Sequence, residues 1–398
     1  MISSIAEGPS TLHNYSTGAD CQSTLACMRS LGVEWSKEGN VVHVQGVGLR
    51  GLREPAEMLD AGNSGSTIRM LSGILAAQTF RTRIAGDESL SRRPMARIMG
   101  PLREMGASID GRDGKFPPIE IHGGPLKAID YTLPVASAQV KSCVLLAGLF
   151  ADGTTIVREP MTTRDHTELA LREFGAEVTV RRGEIALTGN PLLKGRELVV
   201  PGDLSSAAFY LVAASMLPDS KVLITGVGLN PTRTALIDFL VAAGARIRVL
   251  DIEATGGELI GTLEVSSASI SGGTLEGALT AAVIDEISVL AVLGAVSRNG
   301  LTVRDASELR IKETDRIATV AENFARMGVS MDVASDGFHI PGGQRFRAAE
   351  LDSFGDHRIA MAFSVAALAA DGDCTIREAE AASVSYPEFF TTLRSLAA

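Results

Sequence analysis

The segment Glu308 to Arg316, which reads ELRIKETDR, places two cations and two carboxylates within five residues. The cations are Lys312 and Arg316, and the carboxylates are Glu313 and Asp315. If the segment opens a helix, Lys312 and Arg316 share one face and Glu313 lies about 100° away. Such a cluster can hold a multiply charged anion and offer a carboxylate for proton transfer. A solvated helix start with salt bridges explains the same charge pattern.

Polar clusters also occur at the predicted starts of other helices. They are Gly62 to Arg69 (GNSGSTIR), Arg92 to Pro94, Ser137 to Lys141 (SAQVK), Arg164 to Glu168 (RDHTE) and Asp356 to Arg358 (DHR). The ordinary alternatives are a plain loop-to-helix joint for the first, a solvated loop for the second and a capped helix with an exposed lysine for the third. Helix N-termini attract anions, so convergence of these clusters from two domains predicts an interdomain anion site.

The pair Asp285-Glu286 interrupts an otherwise apolar helix, which we predict over Ala281 to Val296. Carboxylates in such a helix are costly unless they face a polar cleft or cap something, so the pair is a candidate functional site. His166 has no cysteine or second histidine at metal spacing, and we therefore predict no metal site. The four cysteines form no CxxC pair, which fits a reduced, cytoplasmic setting.

Length and composition describe a globular protein of two domains. The chain has 398 residues, of which 45% are hydrophobic and 21% charged, with a formal net charge of −10. A single core rarely serves so long a chain, so two domains of about 200 residues are expected. The negative charge argues against nucleic acid or an anionic membrane as a partner. The sequence shows neither a secretory segment nor an apolar run of about 18 residues that could span a membrane.

A helical tail, a glycine and a short β-rich run recur along the chain at intervals of 69 to 84 residues. The glycines are Gly32, Gly106, Gly175, Gly244 and Gly328, and a further helix, Phe389 to Leu396, closes the chain. A glycine after the last helical turn is typical of a left-handed cap. The pattern predicts six αβ units, three in each domain, whose helices pack around a shared interior.

The domain boundary is predicted near Val200 to Asp203, because Pro201-Gly202-Asp203 precedes a new small-residue helix, Ser205 to Leu217. We therefore assign residues 1–201 to the first domain and 202–398 to the second. By the same helix-to-glycine spacing, the first repeat would begin before Met1. The segment Met1 to Ala6 reads as the back half of a helix, so the sequence predicts an N-terminally truncated chain.

Seven motifs together resemble those of 5-enolpyruvylshikimate-3-phosphate synthases. They are GNSGSTIR, RRPM, SAQVK, RDHTE, NPTR (230–233), IKETDR and GDHRIAMAF, in order along essentially the whole chain. KETDR followed by DHR is highly specific, and SAQxK, RxHTE and NxTR resemble the second class, known for glyphosate-tolerant members. The resemblance implies an α/β (α+β) enolpyruvyl transferase fold. Each of its two domains contains three βαβαββ repeats with helices packed inside, and the active site lies in the cleft between them.

The resemblance also implies an activity. Enzymes of this family transfer the enolpyruvyl group of phosphoenolpyruvate to the 5-hydroxyl of shikimate-3-phosphate through a tetrahedral adduct, and they release phosphate. The reaction belongs to the shikimate pathway of aromatic amino-acid biosynthesis and uses no metal and no organic cofactor. A cytoplasmic monomer, with glyphosate as an inhibitor, is the corresponding expectation for this chain.

Site roles follow from the resemblance residue by residue. Ser137 and Gln139 would hold shikimate-3-phosphate, with Arg164 stacked on its ring and Lys312 near its hydroxyls. The resemblance makes Asp285 the general base, and Glu313 would help move the proton at the methylene carbon. Phosphoenolpyruvate would be held by Arg93, Arg316, Arg358 and the backbone at Gly65. The catalytic set is thus Asp285, Glu313 and Lys312, and the remaining substrate-binding positions are Asn63, Ser66, Arg69, Ala138, Asp356 and His357.

One departure concerns the start of the chain. The family begins with a strand and the motif PGDKSISHR, whose lysine, serine and arginine touch both substrates, and the sequence as written does not show this motif before Met1. We therefore expect the chain as written to fold but to be nearly inactive. Two alternatives stay open. One is a truncated pseudo-enzyme that binds anions, and the other is UDP-N-acetylglucosamine enolpyruvyl transferase, which shares the fold but carries a loop cysteine where this chain reads GDESLSRRPM.

Overall fold

Buried apolar side chains form two separate cores in the computed structural model, which describes residues 1–397. One core is built from side chains between Ile5 and Leu193, and the other from side chains between Leu204 and Leu393. The chain divides accordingly into a first unit of Met1–Val200 with Thr255–Gly257, and a second unit of Pro201–Ala254 with Glu258–Ala398.

The first unit begins with a short helix and alternates helices with strands. Its helices are α1 (Ile2–Ile5), α2 (Ala19–Ser30), α3 (Gly65–Leu75), α4 (Ala96–Glu104), α5 (Ala138–Gly148) and α6 (His166–Glu173), with a 3-10 turn at Leu90–Arg92. Its strands are β1 (Glu7–His13), β2 (Glu34–Glu38), β3 (Val41–Val47), β4 (Leu59–Asp60), β5 (Arg81–Ala85), β6 (Ser108–Arg112), β7 (Phe116–His122), β8 (Asp130–Thr132), β9 (Thr154–Arg158), β10 (Val178–Arg181), β11 (Glu184–Thr188) and β12 (Glu197–Val199).

The second unit follows the same alternation. Its helices are α7 (Leu204–Met216), α8 (Ala235–Ala242), α9 (Gly277–Ala282), α10 (Ile287–Val296), α11 (Arg316–Arg326), α12 (His357–Ala367) and α13 (Phe389–Ala397), with 3-10 turns at Ser307–Ile311 and Ala379–Val384. Its strands are β13 (Lys221–Gly228), β14 (Arg246–Thr255), β15 (Glu258–Ser266), β16 (Gly273–Leu275), β17 (Leu301–Val303), β18 (Asp332–Ala334), β19 (Gly337–Ile340), β20 (Glu350–Asp352) and β21 (Thr375–Arg377).

The sheets repeat one topology. The strand orders β12-β1-β3-β2, β4-β5-β7-β6 and β10-β11-β9-β8 in the first unit each combine one parallel pair with two antiparallel pairs. The order β16-β17-β19-β18 in the second unit has the same arrangement. Two of the repeats run β4-α3-β5-α4-β6-β7 and β8-α5-β9-α6-β10-β11, so the predicted βαβαββ repeat is confirmed.

The glycines predicted to end the repeat helices have left-handed backbone conformations. Their φ angles lie between 73° and 103° at Gly32, Gly106, Gly175, Gly244 and Gly328. Each of these glycines therefore ends its helix as predicted, because a side chain would strain this conformation.

The interior of each unit is made of helices whose residues are almost all buried. In the first unit these are α3 and α5, and in the second they are α7, α10 and α12. Helices α3 and α5 pack so closely that a side chain at Gly73 would collide with the backbone oxygen of Cys143. This contact holds the two helices side by side, and polar residues of their first turns can then meet.

Two predicted helices differ from those observed. The helix predicted over Ala281 to Val296 is broken: α9 ends at Ala282, α10 begins at Ile287, and Asp285 lies in the turn between them. The break lets Asp285 leave the apolar interior, where charge is costly, whereas Glu286 stays buried and is paired with Arg233. Helix α11 begins only at Arg316, because Asp315 acts as its N-cap and accepts a hydrogen bond from the Ala318 amide at 3.1 Å.

Within residues 1–397, no helix combines the length and the apolar character that a membrane span requires.

Candidate active site

The first turn of α3 carries the glycine-rich segment. The Ser64 hydroxyl caps the helix by accepting a hydrogen bond from the Thr67 amide at 3.1 Å, and Asn63 donates to Asp87 at 2.7 Å. The first amides of a helix have no partner within it, so Gly65 and Ser66 provide N–H groups of the kind that bind anions.

A hydrogen-bond chain joins the first turns of α3 and α5. Arg69 Nη1 donates to Gln139 Oε1 at 2.9 Å, and Gln139 Nε2 donates to Ser66 Oγ at 2.9 Å. The close packing of the two helices makes this chain possible. Three of the predicted substrate-binding side chains therefore form one connected group, although 70 residues separate Arg69 from Gln139.

Arg93 lies beside the first turn of α3, and its side chain is buried. It is only 8% exposed, so the alternative of a solvated loop is wrong for this residue. Its Nη2 atom donates to Asn63 Oδ1 at 2.7 Å, and its Nη1 atom donates to the Asn63 carbonyl at 3.3 Å. Arg92, in contrast, is exposed and pairs with Glu88. A Cβ atom at Gly65 would lie 2.7 Å from Arg69 Nη1 and 3.5 Å from Arg93 Nη1, so both guanidiniums border the first turn of α3.

Ser137, Ala138 and Arg164 lie at the starts of the neighbouring helices. Ser137 is the N-cap of α5, where its hydroxyl accepts from the Val140 amide at 3.4 Å, and Ala138 is the first helical residue. Arg164 lies in the turn that precedes α6.

In the second unit, Asp285 faces the cations of the KETDR segment. Lys312 Nζ donates to Asp285 Oδ1 at 3.2 Å, and Arg316 Nη1 lies 3.6 Å from the same oxygen. Lys312 and Arg316 do not share a helical face as predicted, because Lys312 precedes the N-cap of α11. Both cations nevertheless meet at one carboxylate. The Asp285 side chain is 16% exposed, which leaves it accessible to a ligand.

Arg316 is almost completely buried among carboxylates. Its Nε and Nη2 atoms donate to Asp356 at 2.8 and 3.2 Å, and Nη2 also donates to Glu313 at 2.6 Å. Burial alone would lower the pKa of Arg316, but the charges of Asp356 and Glu313 outweigh this and raise it. Burial likewise opposes ionisation of Asp356, yet the Arg316 charge holds the pKa of that carboxyl well below its ordinary value. The pair is therefore fully ionised at neutral pH.

Asp356 also fixes the start of α12. Its Oδ1 atom accepts from the Arg358 amide at 2.9 Å, so the same carboxylate caps α12 and binds Arg316. His357 and Arg358 are thereby placed in the first turn of this helix, beside the KETDR segment.

Three more side chains extend this cluster: Glu286, which belongs to the predicted Asp285-Glu286 pair, and Ser205 and Arg233, to which no site role was assigned. The buried Glu286 carboxylate accepts from the Ser205 hydroxyl and from Arg233 Nη2, the latter at 3.2 Å, and it lies 3.9 Å from Arg358 Nη1. Arg233 ends the NPTR motif and Glu286 follows Asp285, but 53 residues separate them and no local pattern indicates their contact.

The two groups of residues have complementary chemistry. The first supplies guanidiniums and helix N-termini for anions, and the second supplies carboxylates beside an ammonium group for proton transfer. Among residues 1–397, no group of three or more histidine, cysteine, aspartate or glutamate side chains has an arrangement that could hold a metal ion.

Comparisons with known proteins match this pattern. The profile of the family described as EPSP synthase (3-phosphoshikimate 1-carboxyvinyltransferase) matches residues 1–393. A protein of Solibacter usitatus named 3-phosphoshikimate 1-carboxyvinyltransferase is 66% identical over 397 residues, covering 100% of this chain and 93% of that protein. A protein of Koribacter versatilis with the same name is 50% identical and covers 100% and 92%. The structure of EPSP synthase from Acinetobacter baumannii matches with a TM-score of 0.88 at 40% identity, covering 100% of this chain and 92% of that one.

The chain belongs to the EPSP synthase family. The resemblance of its seven motifs to this family is confirmed, as are the fold class and the classification as a transferase. The other two interpretations of the sequence, an anion-binding pseudo-enzyme and a UDP-N-acetylglucosamine enolpyruvyl transferase, are not favoured by these relatives.

His357 gives this EPSP synthase site a testable pH response. Burial lowers the pKa of His357 to about 4, with Asp356 opposing and Arg358 adding to the effect. The unfolded chain therefore takes up a proton at this histidine near pH 6.5, whereas the folded chain does so only near pH 4. Native stability should fall across this window by up to about 3 kcal/mol from this residue alone.

We therefore expect the free energy of unfolding of His357→Gln to depend less steeply on pH between 6.5 and 4 than that of the wild type. Urea unfolding of both proteins at pH 7, 5.5 and 4.5 measures the two slopes. Parallel curves would contradict the assignment of a neutral, buried His357.

Proposed function

We propose that this enzyme transfers the enolpyruvyl group of phosphoenolpyruvate to the 5-hydroxyl of shikimate-3-phosphate and releases phosphate. The observation that carries the proposal is the contact of Asp285 with Lys312 and Arg316 at 3.2 and 3.6 Å. A carboxylate held beside two cations can accept a proton while anionic substrates are bound close to it.

In the proposed reaction, Asp285 accepts the proton of the substrate 5-hydroxyl as its oxygen bonds to the central carbon of phosphoenolpyruvate. The methylene carbon takes up a proton at the same time, which gives a tetrahedral adduct. Glu313, 18% exposed and bonded to Arg316, is placed to assist at that carbon. Loss of phosphate and of one methyl proton from the adduct then regenerates a carbon–carbon double bond. Lys312 steadies the Asp285 carboxylate and contacts the substrate hydroxyls.

The two anionic substrates need separate cationic groups. We assign phosphoenolpyruvate to Arg93, Arg316 and Arg358 and the first turn of α3. Arg316 already donates to Asp356 and Glu313, so its contribution comes from Nη1, the guanidinium nitrogen nearest Asp285. Arg358 lies 3.9 Å from Glu286, which orients it.

Shikimate-3-phosphate is assigned to Ser137, Ala138, Gln139 and Arg164. The helix N-terminus at Ser137 favours the phosphate group, and the planar guanidinium of Arg164 can stack on a ring. Asn63, Ser66, Arg69, Asp356 and His357 hold these groups in place through the hydrogen bonds and burial described above.

The experiment that tests the proposed activity is phosphate release from a panel of acceptors. Phosphoenolpyruvate is mixed with shikimate-3-phosphate, with shikimate or with UDP-N-acetylglucosamine. The protein is the chain extended before Met1 by a segment with the family motif PGDKSISHR, and it is produced in a host that lacks its own synthase. We expect release only with shikimate-3-phosphate. Release with UDP-N-acetylglucosamine instead would contradict the assignment of the acceptor, and binding without release would support a non-catalytic protein.

Gly65 is proposed to determine the response to glyphosate, and we expect intermediate tolerance in the wild type. A methyl group at this position would approach Arg69 and Arg93, at 2.7 and 3.5 Å from their Nη1 atoms. Gly65→Ala should therefore raise the inhibition constant for glyphosate more than the KM for phosphoenolpyruvate. Gly100→Ala is the matched control, because a methyl group there meets no atom within 4 Å. Equal shifts of both constants in Gly65→Ala would mean that this position does not discriminate the two ligands.

We further propose that the enzyme acts as a cytoplasmic monomer. All four cysteines are free, which suits a reducing compartment. Sedimentation velocity at several protein concentrations tests the monomeric state.

A further inference from the structure

Lys141 is the one lysine of the SAQVK motif, and its side chain is completely buried. The alternative of an exposed lysine at this position is wrong, because none of the side chain is accessible. Its ammonium group lies 2.7 Å from Glu168 Oε1 and 3.1 Å from Glu159 Oε2, and both carboxylates are buried as well. A buried ammonium group is tolerated only with such partners. The mechanism proposed above leaves this triad without a role.

The triad connects α5 to the turn that carries Arg164. Lys141 Nζ donates to the Thr163 carbonyl at 3.5 Å. Glu159 Oε2 accepts from the Thr163 amide at 3.2 Å and from its hydroxyl at 2.8 Å. Thr163 immediately precedes Arg164, so the residue before Arg164 is bonded to both Lys141 and Glu159.

The other side of the turn is attached to the same helix. The hydroxyls of Ser142 and Thr167 lie 2.6 Å apart, and Glu168 in the first turn of α6 binds Lys141. Arg164 is thus bracketed by two attachments to α5. Lys141 lies one helical turn beyond Ser137, so these attachments fix Arg164 relative to the first turn of α5.

We propose that Lys141 is a positioning residue for the shikimate-3-phosphate subsite. It holds the Arg164 turn against α5 and thereby sets the distance between Arg164 and the Ser137–Gln139 segment. This inference rests on the proposed function, because it assigns Arg164 to one of the two substrates.

The charge balance of the triad indicates what Lys141 contributes to it. One ammonium group faces two carboxylates, and Glu168 Oε2 has no hydrogen-bond partner among residues 1–397. Burial raises the pKa of Glu168, although Lys141 opposes the shift. Without Lys141, two buried carboxylates would face each other, and the turn at Thr163 would move away from α5.

The test is a double-mutant cycle between Lys141→Met and Arg164→Ala, with both substrate KM values measured. Lys141→Met should raise the KM for shikimate-3-phosphate by about 10- to 100-fold, because a shift of about 1 Å in a binding group has effects of this size. The KM for phosphoenolpyruvate should change less than about threefold. In the Arg164→Ala background, Lys141→Met should add little, because the group that it positions is already gone.

Two further variants keep the test decisive if Lys141→Met folds poorly. Glu159→Gln retains an oxygen that can accept the Thr163 hydrogen bonds, whereas Glu159→Leu does not. We expect only the leucine variant to reproduce the shikimate-3-phosphate defect. Gln78→Leu is the control for simple loss of a buried polar group in the same unit, because its hydrogen bond stays within α3 and the turn that follows. It should lower stability and leave both KM values unchanged.

The outcomes separate the positioning role from the proposed function. The role of Lys141 would be overturned if the effects of Lys141→Met and Arg164→Ala on the KM for shikimate-3-phosphate were additive. It would also be overturned if Lys141→Met raised both KM values equally. Turnover by the protein without these substitutions would still support the proposed activity. Absence of turnover with both substrates, in the otherwise unchanged chain extended by the PGDKSISHR segment, would overturn the proposed function and this inference with it.

Discussion

Replacing Asp285 with asparagine should lower kcat by about 10²- to 10⁴-fold, which is the usual contribution of a general base. Asparagine has nearly the same shape and keeps an oxygen toward Lys312, but it cannot accept the hydroxyl proton. The KM for shikimate-3-phosphate should therefore change only modestly. Initial rates of phosphate release with both substrates near saturation, measured in the chain extended by the PGDKSISHR segment, give the effect.

Glu276→Gln is the matched control for this substitution. Glu276 is an exposed carboxylate of the same unit that pairs with Arg304 at 3.1 Å, and its loss should leave kcat unchanged. If Asp285→Asn retained near-full turnover, Asp285 would not be the base, and Glu313 would be the next carboxylate to test.

Asp356→Asn should cost about 3 to 5 kcal/mol in the free energy of unfolding, the range observed when one member of a buried ion pair is removed. Asparagine remains a good N-cap for α12, so the substitution isolates the lost charge. Arg316, only 2% exposed, would keep its charge without its main partner. Urea unfolding near pH 7 measures the loss.

The loss of stability caused by Asp356→Asn should also become smaller at low pH. Because the pKa of Asp356 is lowered in the folded protein, its stabilisation is complete above the ordinary carboxyl pKa of about 3.9 and is lost as the pH falls further. The gap between wild type and variant should thus be constant from pH 5 to 8 and narrow below about pH 4.

The neighbouring N-cap provides a control for Asp356→Asn. Asp315 caps α11 and pairs with Arg310, but its side chain is 36% exposed. Asp315→Asn should cost less than about 1 kcal/mol, as exposed ion pairs do. Equal losses for the two variants would show that burial of the Arg316 pair is not the source of its stability.

The sequence predicted local features well because each depends on a few adjacent residues. Gly106 and Gly175 end helices because glycine adopts positive φ easily, and Asp203 and Ser137 start helices because their side chains accept from early amides. Motif recognition added the family and, through it, the candidate residues. It named Arg69 and Gln139 as substrate-binding residues but did not indicate their contact.

Contacts between distant segments could not be predicted from the same patterns. Arg233 and Glu286 meet through the packing of separate repeats, and nothing in NPTR indicates its partner. The break before α10 arises because Asp285 turns toward Lys312, a tertiary effect that helix propensity does not contain. Lys141 looked solvent-exposed because lysine usually is, whereas Glu159 and Glu168 make its burial possible.

The central claim is that one chain carries out enolpyruvyl transfer to shikimate-3-phosphate. Phosphorus NMR of the chain extended by the PGDKSISHR segment, with equimolar shikimate-3-phosphate and phosphoenolpyruvate, follows both substrates, the product and inorganic phosphate in one sample. We predict that the phosphoenolpyruvate signal is replaced by equal amounts of inorganic phosphate and of a new phosphomonoester, and that Asp285→Asn slows both together. Phosphate released without a new phosphomonoester, or no change in either substrate, would contradict the account.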